Sequence, residues 1–175
     1  LLTNPRILIL DDSTSAIDWR QSAKSQHLFV REREWDAAQS IWFWRDGSQG
    51  MRFASGGVNK MERASLIALA LAALLVKGGE RVALFGEPEP PSSSRLALKR
   101  MAHRLEVKPR DVDLPPEGAI TRNGHFVWLS DFLSPLDDIE ATMRRLSLNG
   151  VGGSLVQIID PAEEDFPYSG RTRFE

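Results

Sequence analysis

Two stretches of this chain place an aspartate ahead of hydroxyl residues at alternate positions. Asp11-Asp12-Ser13-Thr14-Ser15 spells Asp-x-Ser-x-Ser, and Asp46-Gly47-Ser48-Gln49-Gly50 spells Asp-x-Ser-x-Gly. Such a loop can turn one carboxylate and its neighbouring hydroxyls toward a common point. An oxygen-only donor set suits a hard divalent cation, Mg²⁺ first and Ca²⁺ or Mn²⁺ next. Further oxygen donors follow apolar runs at Ser130-Asp131 and Ser92-Ser93-Ser94. Other chemistry is thin. His27, His103 and His125 lie far apart, without zinc-ligand spacing, and there is no cysteine to supply thiolates. No nucleophile elbow and no glycine-rich phosphate loop is present, and Gly56-Gly57 and Gly78-Gly79 read as turns.

The elements that must position these groups are legible as apolar periodicity. Short runs at 41–44, 81–85, 125–129 and 154–159 are nearly continuous in apolar character, as strands buried on both faces are. Ile7-Leu8-Ile9-Leu10 reads as another short strand, and 27–33 alternates weakly, as an edge strand would. Between the runs lie helical patterns. Lys60–Lys77 is rich in Ala and Leu, ends at Gly78-Gly79, and is apolar nearly all round, so it is expected to be largely buried. Ser94–Leu105 has serines at its start, and Pro135–Leu148 has Ser134 and Pro135 at its start and Asp137 and Asp138 in its first turn. Stretches 86–91 and 107–118 read as loops. Alternating strands and helices predict an α/β three-layer sandwich, with a mostly parallel central sheet flanked by helices in a Rossmann-like arrangement. Ligands of such sheets bind at the carboxyl ends of the strands. Asp46, Ser92 to Ser94, and Asp131 all follow strands and are therefore expected on one edge.

Composition narrows the function classes. The 175 residues suit one domain, 1–175, with a real core, and 42% hydrophobic against 26% charged residues marks a globular chain rather than a disordered one. A net charge of -2 gives no global attraction to nucleic acid or anionic membrane. The longest apolar run, Leu66 to Val76, is shorter than the about 20 residues a bilayer needs. No signal peptide is expected, and the absence of cysteine fits a reducing, cytoplasmic setting. Trp19, Trp35, Trp42 and Trp44 lie in or beside apolar segments, which points to core packing rather than a stacking platform. Arg31-Glu32-Arg33-Glu34 reads as a solvated strand face. Asp160-Pro161 and Glu163-Glu164 follow a strand, on the same edge of the sheet, and read as a loop rather than a second metal site or partner contact.

From about Asp12 onward the chain resembles the DUF58 family of bacterial proteins, in its alphaproteobacterial form, which is related to the von Willebrand factor A domain. The likeness rests on "IDWRQSAKSQHLFVREREWD", "IWFWRDGSQGM", "KMERASLIALALAALLVKGGERVALFG", "VWLSDFLSPL" and "IIDPAEEDFPYSGRTRFE", in the family's order. Asp46 to Met51 fall where the family carries Asp-x-Ser-x-Ser-Met. The fuller spelling at 11–15 sits in an approach segment and reads as a polar turn. Residues 1–11 do not match the family, so a shortened or altered N-terminal segment is expected.

The resemblance implies a metal-ion-dependent adhesion site. In related A-domains that site takes an Asp, two Ser hydroxyls, a Thr from a second loop and an Asp from a third. Position by position, Asp46, Ser48 and Asp131 match. Gly50 falls where the second Ser belongs, and Ser94, or Ser93, is the nearest residue to the Thr. Mg²⁺ is accordingly expected to bind weakly or not at all. The resemblance also implies a non-enzymatic adaptor or chaperone-like role beside an AAA+ ATPase of the MoxR type, with the partner meeting Asp46, Gly50 and Asp131. The alternative is a Mg²⁺-dependent hydrolase or phosphotransfer enzyme using Asp46 as nucleophile. Against it, no second acid stands two residues after Asp46 and no Lys follows a later strand in a recognisable motif.

Overall fold

Four strands build the sheet: β1 (Ser40–Arg45), β2 (Arg81–Leu84), β3 (His125–Ser130) and β4 (Gly152–Gln157). The computed structural model describes residues 38–107, 111–118, 120, 124–148, 150–167 and 170. The Asp11–Ser15 loop, the strands read at 7–10 and 27–33, Asp18-Trp19-Arg20, the charge run at 31–34, Trp35 and the closing residues 171–175 lie outside the described residues. So does the part of the single-domain expectation that rests on them.

All pairings are parallel, in the order β2-β1-β3-β4. Helices cover both faces: α1 (Lys60–Lys77) and α2 (Arg95–Glu106) on one, α3 (Leu136–Leu148) on the other. The period-2 alternation of a strand explains the split. Ile41 and Phe43 of β1 enter the core with Ala64, Ala68, Ala72, Met101 and Leu105. Trp42 turns the other way and packs with Phe126, Trp128, Ile139 and Leu146. The three-layer α/β sandwich read from the sequence is the observed fold. A short helix, α4 (Pro161–Asp165), and a 3-10 turn at Gly50–Arg52 complete the described elements. Among the described residues, no helix is long and apolar enough to cross a membrane.

Two expectations need correction. Helix α1 is not largely buried. Its alanine face lies on the sheet, while Leu66 and Leu74 stand 69% and 66% exposed on the other side. Apolar composition all round cannot be satisfied when a helix has one face against a sheet. Strand β4 begins and ends two residues earlier than its apolar content suggests. Its backbone ladder to β3 starts at Gly152 opposite His125, and Ile158 and Ile159 lie past its end.

The connectivity decides where a site can form. From β1 the chain moves outward to β2, then returns past β1 to β3. The order reverses between β1 and β3, and open α/β sheets bind ligands at the carboxyl end of such a reversal.

Candidate functional site

Asp46 is the first residue beyond β1, and Ser130-Asp131 close β3. The Asp46 amide donates to the Leu129 carbonyl at 2.9 Å, which carries the ladder one residue past the strand. The side chain turns into the gap between the two strand ends and is 1% exposed. Its Oδ1 accepts from the Ser48 amide at 2.7 Å and its Oδ2 from the Ser130 hydroxyl at 2.6 Å. Burial pushes the Asp46 carboxyl above its ordinary value, the hydrogen bonds from Ser130 and Ser48 oppose this, and the negative charge of Asp131 adds to it.

Asp131 sits at the head of a tight turn. Ser130 Oγ accepts from the Phe132 amide at 3.0 Å, and Asp131 Oδ1 accepts from the Leu133 amide at 3.2 Å. Phe132 takes φ 56, the left-handed region that bulky residues avoid, and the two side-chain hydrogen bonds hold it there. The second oxygen of Asp131 meets Lys60. The Lys60 Nζ lies 3.0 Å from Asp131 Oδ2 and 2.6 Å from Glu163 Oε1, with the Lys60 side chain 2% exposed. Burial alone would lower the Lys60 pKa, but hydrogen bonds and charge from Glu163 and Asp131 outweigh it and hold the ammonium above its ordinary value.

Glu163 is placed by the capping of α4. The Asp160 Oδ1 accepts from the Ala162 amide at 3.0 Å, and Glu163 Oε2 accepts from the Asp160 amide at 2.9 Å. The Asp160 side chain also accepts from the Glu163 backbone, which together with the Glu163 side-chain bond makes a capping box. The free Oε1 of Glu163 is thereby aimed at Lys60. Asp160 Oδ2 also accepts from the Ser55 amide at 3.0 Å. Hydrogen bonding from Ser55, its side chain first and its amide after, holds the Asp160 carboxyl below its ordinary value against the effect of burial. The loop after Asp46, the start of α1, the end of β3 and α4 therefore meet in one rim.

Of the residues read from the sequence, the structure brings Asp46, Ser48, Gly50 and Asp131 together. A Cβ at Gly50 would lie 2.9 Å from Asp131 Oδ2 and 3.9 Å from Ser48 Oγ. Ser94 is not part of the group. After β2 the chain turns back, and Ser92 pairs antiparallel with Val82, which lies opposite Ile41 at the start of β1. Ser94 Oγ accepts from the Ala97 amide at 3.1 Å and caps α2. The expected shared edge thus holds for Asp46 and Asp131 and not for Ser94.

The sequence puts Glu163 on this edge of the sheet but as a loop residue, and it does not single out Lys60. Two signals point to them. Asp160-Pro161-Ala162-Glu163 has the capping-box spacing. Lys60 is the first residue of a helix capped by Asn59, whose Oδ1 accepts from the Glu62 amide at 2.8 Å. A cation at a helix N-terminus opposes the dipole and needs local carboxylates to hold it.

As a holder of Mg²⁺ the rim fits poorly. Asp131 Oδ2 is engaged by an ammonium and position 50 supplies no hydroxyl. Among the described residues, no three carboxylates or imidazoles converge in a way that could hold a metal ion. On the same sheet edge a recess of about 340 Å³ opens beside Gly47, lined by Trp44, Arg45, Phe85, Arg104, Val112 and Pro116 among others.

No curated protein and no solved structure matches the chain. A family model described as "Protein of unknown function DUF58" matches residues 6–175. That match spans nearly the whole chain, and this protein belongs to the DUF58 family.

Proposed function

We propose that the protein is a non-enzymatic, cytoplasmic interaction module, adaptor-like or chaperone-like, built on a von Willebrand factor A-like version of its sandwich. Its recognition surface is the rim around Asp46, Gly50 and Asp131, a degenerate metal-ion-dependent adhesion site. Its partner is a protein, an AAA+ ATPase of the MoxR type, as the family resemblance suggests. The observation that carries this reading is the engagement of Asp46. The carboxylate that a hydrolase or phosphotransfer enzyme would use as nucleophile is 1% exposed and has both oxygens hydrogen-bonded inside the fold. A nucleophile needs an accessible lone pair and a base within reach. Apolar side chains from the loops that form the rim face solvent instead: Phe53 is 37% exposed and Leu133 73%, with Leu136 at the start of α3 68% exposed. Exposed apolar groups gathered around a polar centre favour contact with another protein.

The test is binding of the purified chain to a MoxR-type ATPase by calorimetry. Phe53→Asp and Leu133→Asp are expected to weaken the complex about tenfold or more each, since apolar anchors dominate interface energetics. Phosphate release and aspartyl-phosphate trapping with Mg²⁺ are expected to stay at background. Turnover that disappears in Asp46→Ala would overturn the interaction reading in favour of an enzyme.

A further inference from the structure

Burying a carboxylate requires donors or a counter-charge. Asp46 is met by donors, from Ser48 and Ser130. Asp131 and Glu163 are met by one ammonium, that of Lys60, which touches both and is 2% exposed. Lys60 stands at the first position of α1, where the helix dipole disfavours a cation. The neighbouring carboxylates offset that.

We propose that Lys60 is the resident cation of the rim. Its ammonium compensates Asp131 beyond β3, holds it against Glu163, and keeps a divalent ion out. Gly50 belongs to the same device. A Cβ there would come within 2.9 Å of Asp131 Oδ2, closer than carbon and oxygen tolerate. Asp131 can yield only by disturbing its own contacts. Its Oδ2 is held by Lys60 and its Oδ1 by the Leu133 amide, and the residue is 6% exposed. A side chain at position 50 must push Asp131 Oδ2 or its own backbone aside, which strains the contact with Lys60. The missing hydroxyl at 50 and the lysine at 60 are therefore one feature, and the rim assembles without metal whatever protein meets it.

Mn²⁺ titration by calorimetry and thermal melting of the full chain test this. Wild type is expected to show no Mn²⁺ binding in the millimolar range and the same melting temperature in Mg²⁺ and in chelator. Lys60→Met is expected to melt lower and to bind Mn²⁺ about tenfold or more tightly than wild type, a gain abolished by adding Asp131→Asn. Gly50→Ser is expected to lower the melting temperature of the wild type and to cost much less in the Lys60→Met background, because the oxygen it displaces is no longer tied. Gly50→Ser costing the same in both backgrounds would overturn the proposal. Two measurements need no Lys60 variant. Mn²⁺ binding by the wild type that Asp131→Asn removes, or Gly50→Ser melting with the wild type, also overturns it. None of these readouts involves a partner, so the resident cation and the interaction reading fail separately.

Discussion

The Ser130 hydroxyl donates to Asp46 Oδ2 at 2.6 Å and joins the ends of β1 and β3, the strands between which the chain reverses its order across the sheet. The same oxygen accepts from the Phe132 amide, so one buried hydroxyl supports both the carboxylate and the left-handed turn after it. Ser130→Ala leaves a buried carboxylate and a part-buried amide each short of a partner. Hydrogen bonds to charged groups are each worth about 1.5–3 kcal/mol, and a loss of that order is expected in urea denaturation.

Lys60 and Glu163 should differ in cost. Lys60→Met removes the counter-charge of Asp131 while filling similar volume, and breaking a buried pair in this way costs about 3–5 kcal/mol. Glu163 has its side chain 32% exposed, so water replaces part of what is lost. Glu163→Gln is expected to cost about 1 kcal/mol or less. Chemical denaturation of both variants at neutral pH checks the ordering, and equal losses would contradict it.

The Asp46 carboxyl lies above its ordinary value chiefly through burial, so the folded chain binds that proton more tightly than the unfolded chain does. Its contribution to stability is present below the unfolded pKa of about 3.9 and is lost as pH rises through the folded value. Asp46→Asn keeps the shape and cannot titrate. Between about pH 4 and neutrality the wild type is therefore expected to lose stability relative to this variant. Asp160 has the opposite sign. Its pKa is depressed, so its contribution is present above about 3.9 and is lost as pH falls through the folded value. Urea melts of wild type, Asp46→Asn and Asp160→Asn from about pH 2 to neutrality should show the Asp46 difference developing as pH rises above about 4 and the Asp160 difference developing as pH falls below it.

Ser94→Ala is expected to cost about 1 kcal/mol through loss of the α2 cap. It should leave partner binding unchanged, because Ser94 stands at the other end of the strands from Asp46. Weaker partner binding in Ser94→Ala at unchanged stability would return Ser94 to the rim.

Much of the architecture was legible along the chain. Hydrophobic period and length separated strands from helices, and Lys60–Lys77 was bounded as observed because Gly78 and Gly79 end it sharply. Asp46 and Asp131 could be placed because each immediately follows a buried parallel strand, and all such strands point the same way. Ser94 was misplaced because a loop's direction after its strand is not written in periodicity. The chain turns back along β2 before α2 begins. The pairing of Lys60 with Glu163 was not legible for a related reason. They lie 103 residues apart, and nothing local to either announces the other.

Local chemistry determined which residues form strands, which form helices, where the helices are capped, and that two aspartates end on one edge of the sheet. These follow from steric and hydrogen-bonding preferences acting over a few residues. Only the tertiary structure decided what those aspartates meet. The order β2-β1-β3-β4 brings the start of α1 and the capped turn of α4 onto the same rim, where burial makes a counter-charge obligatory and a lysine supplies it.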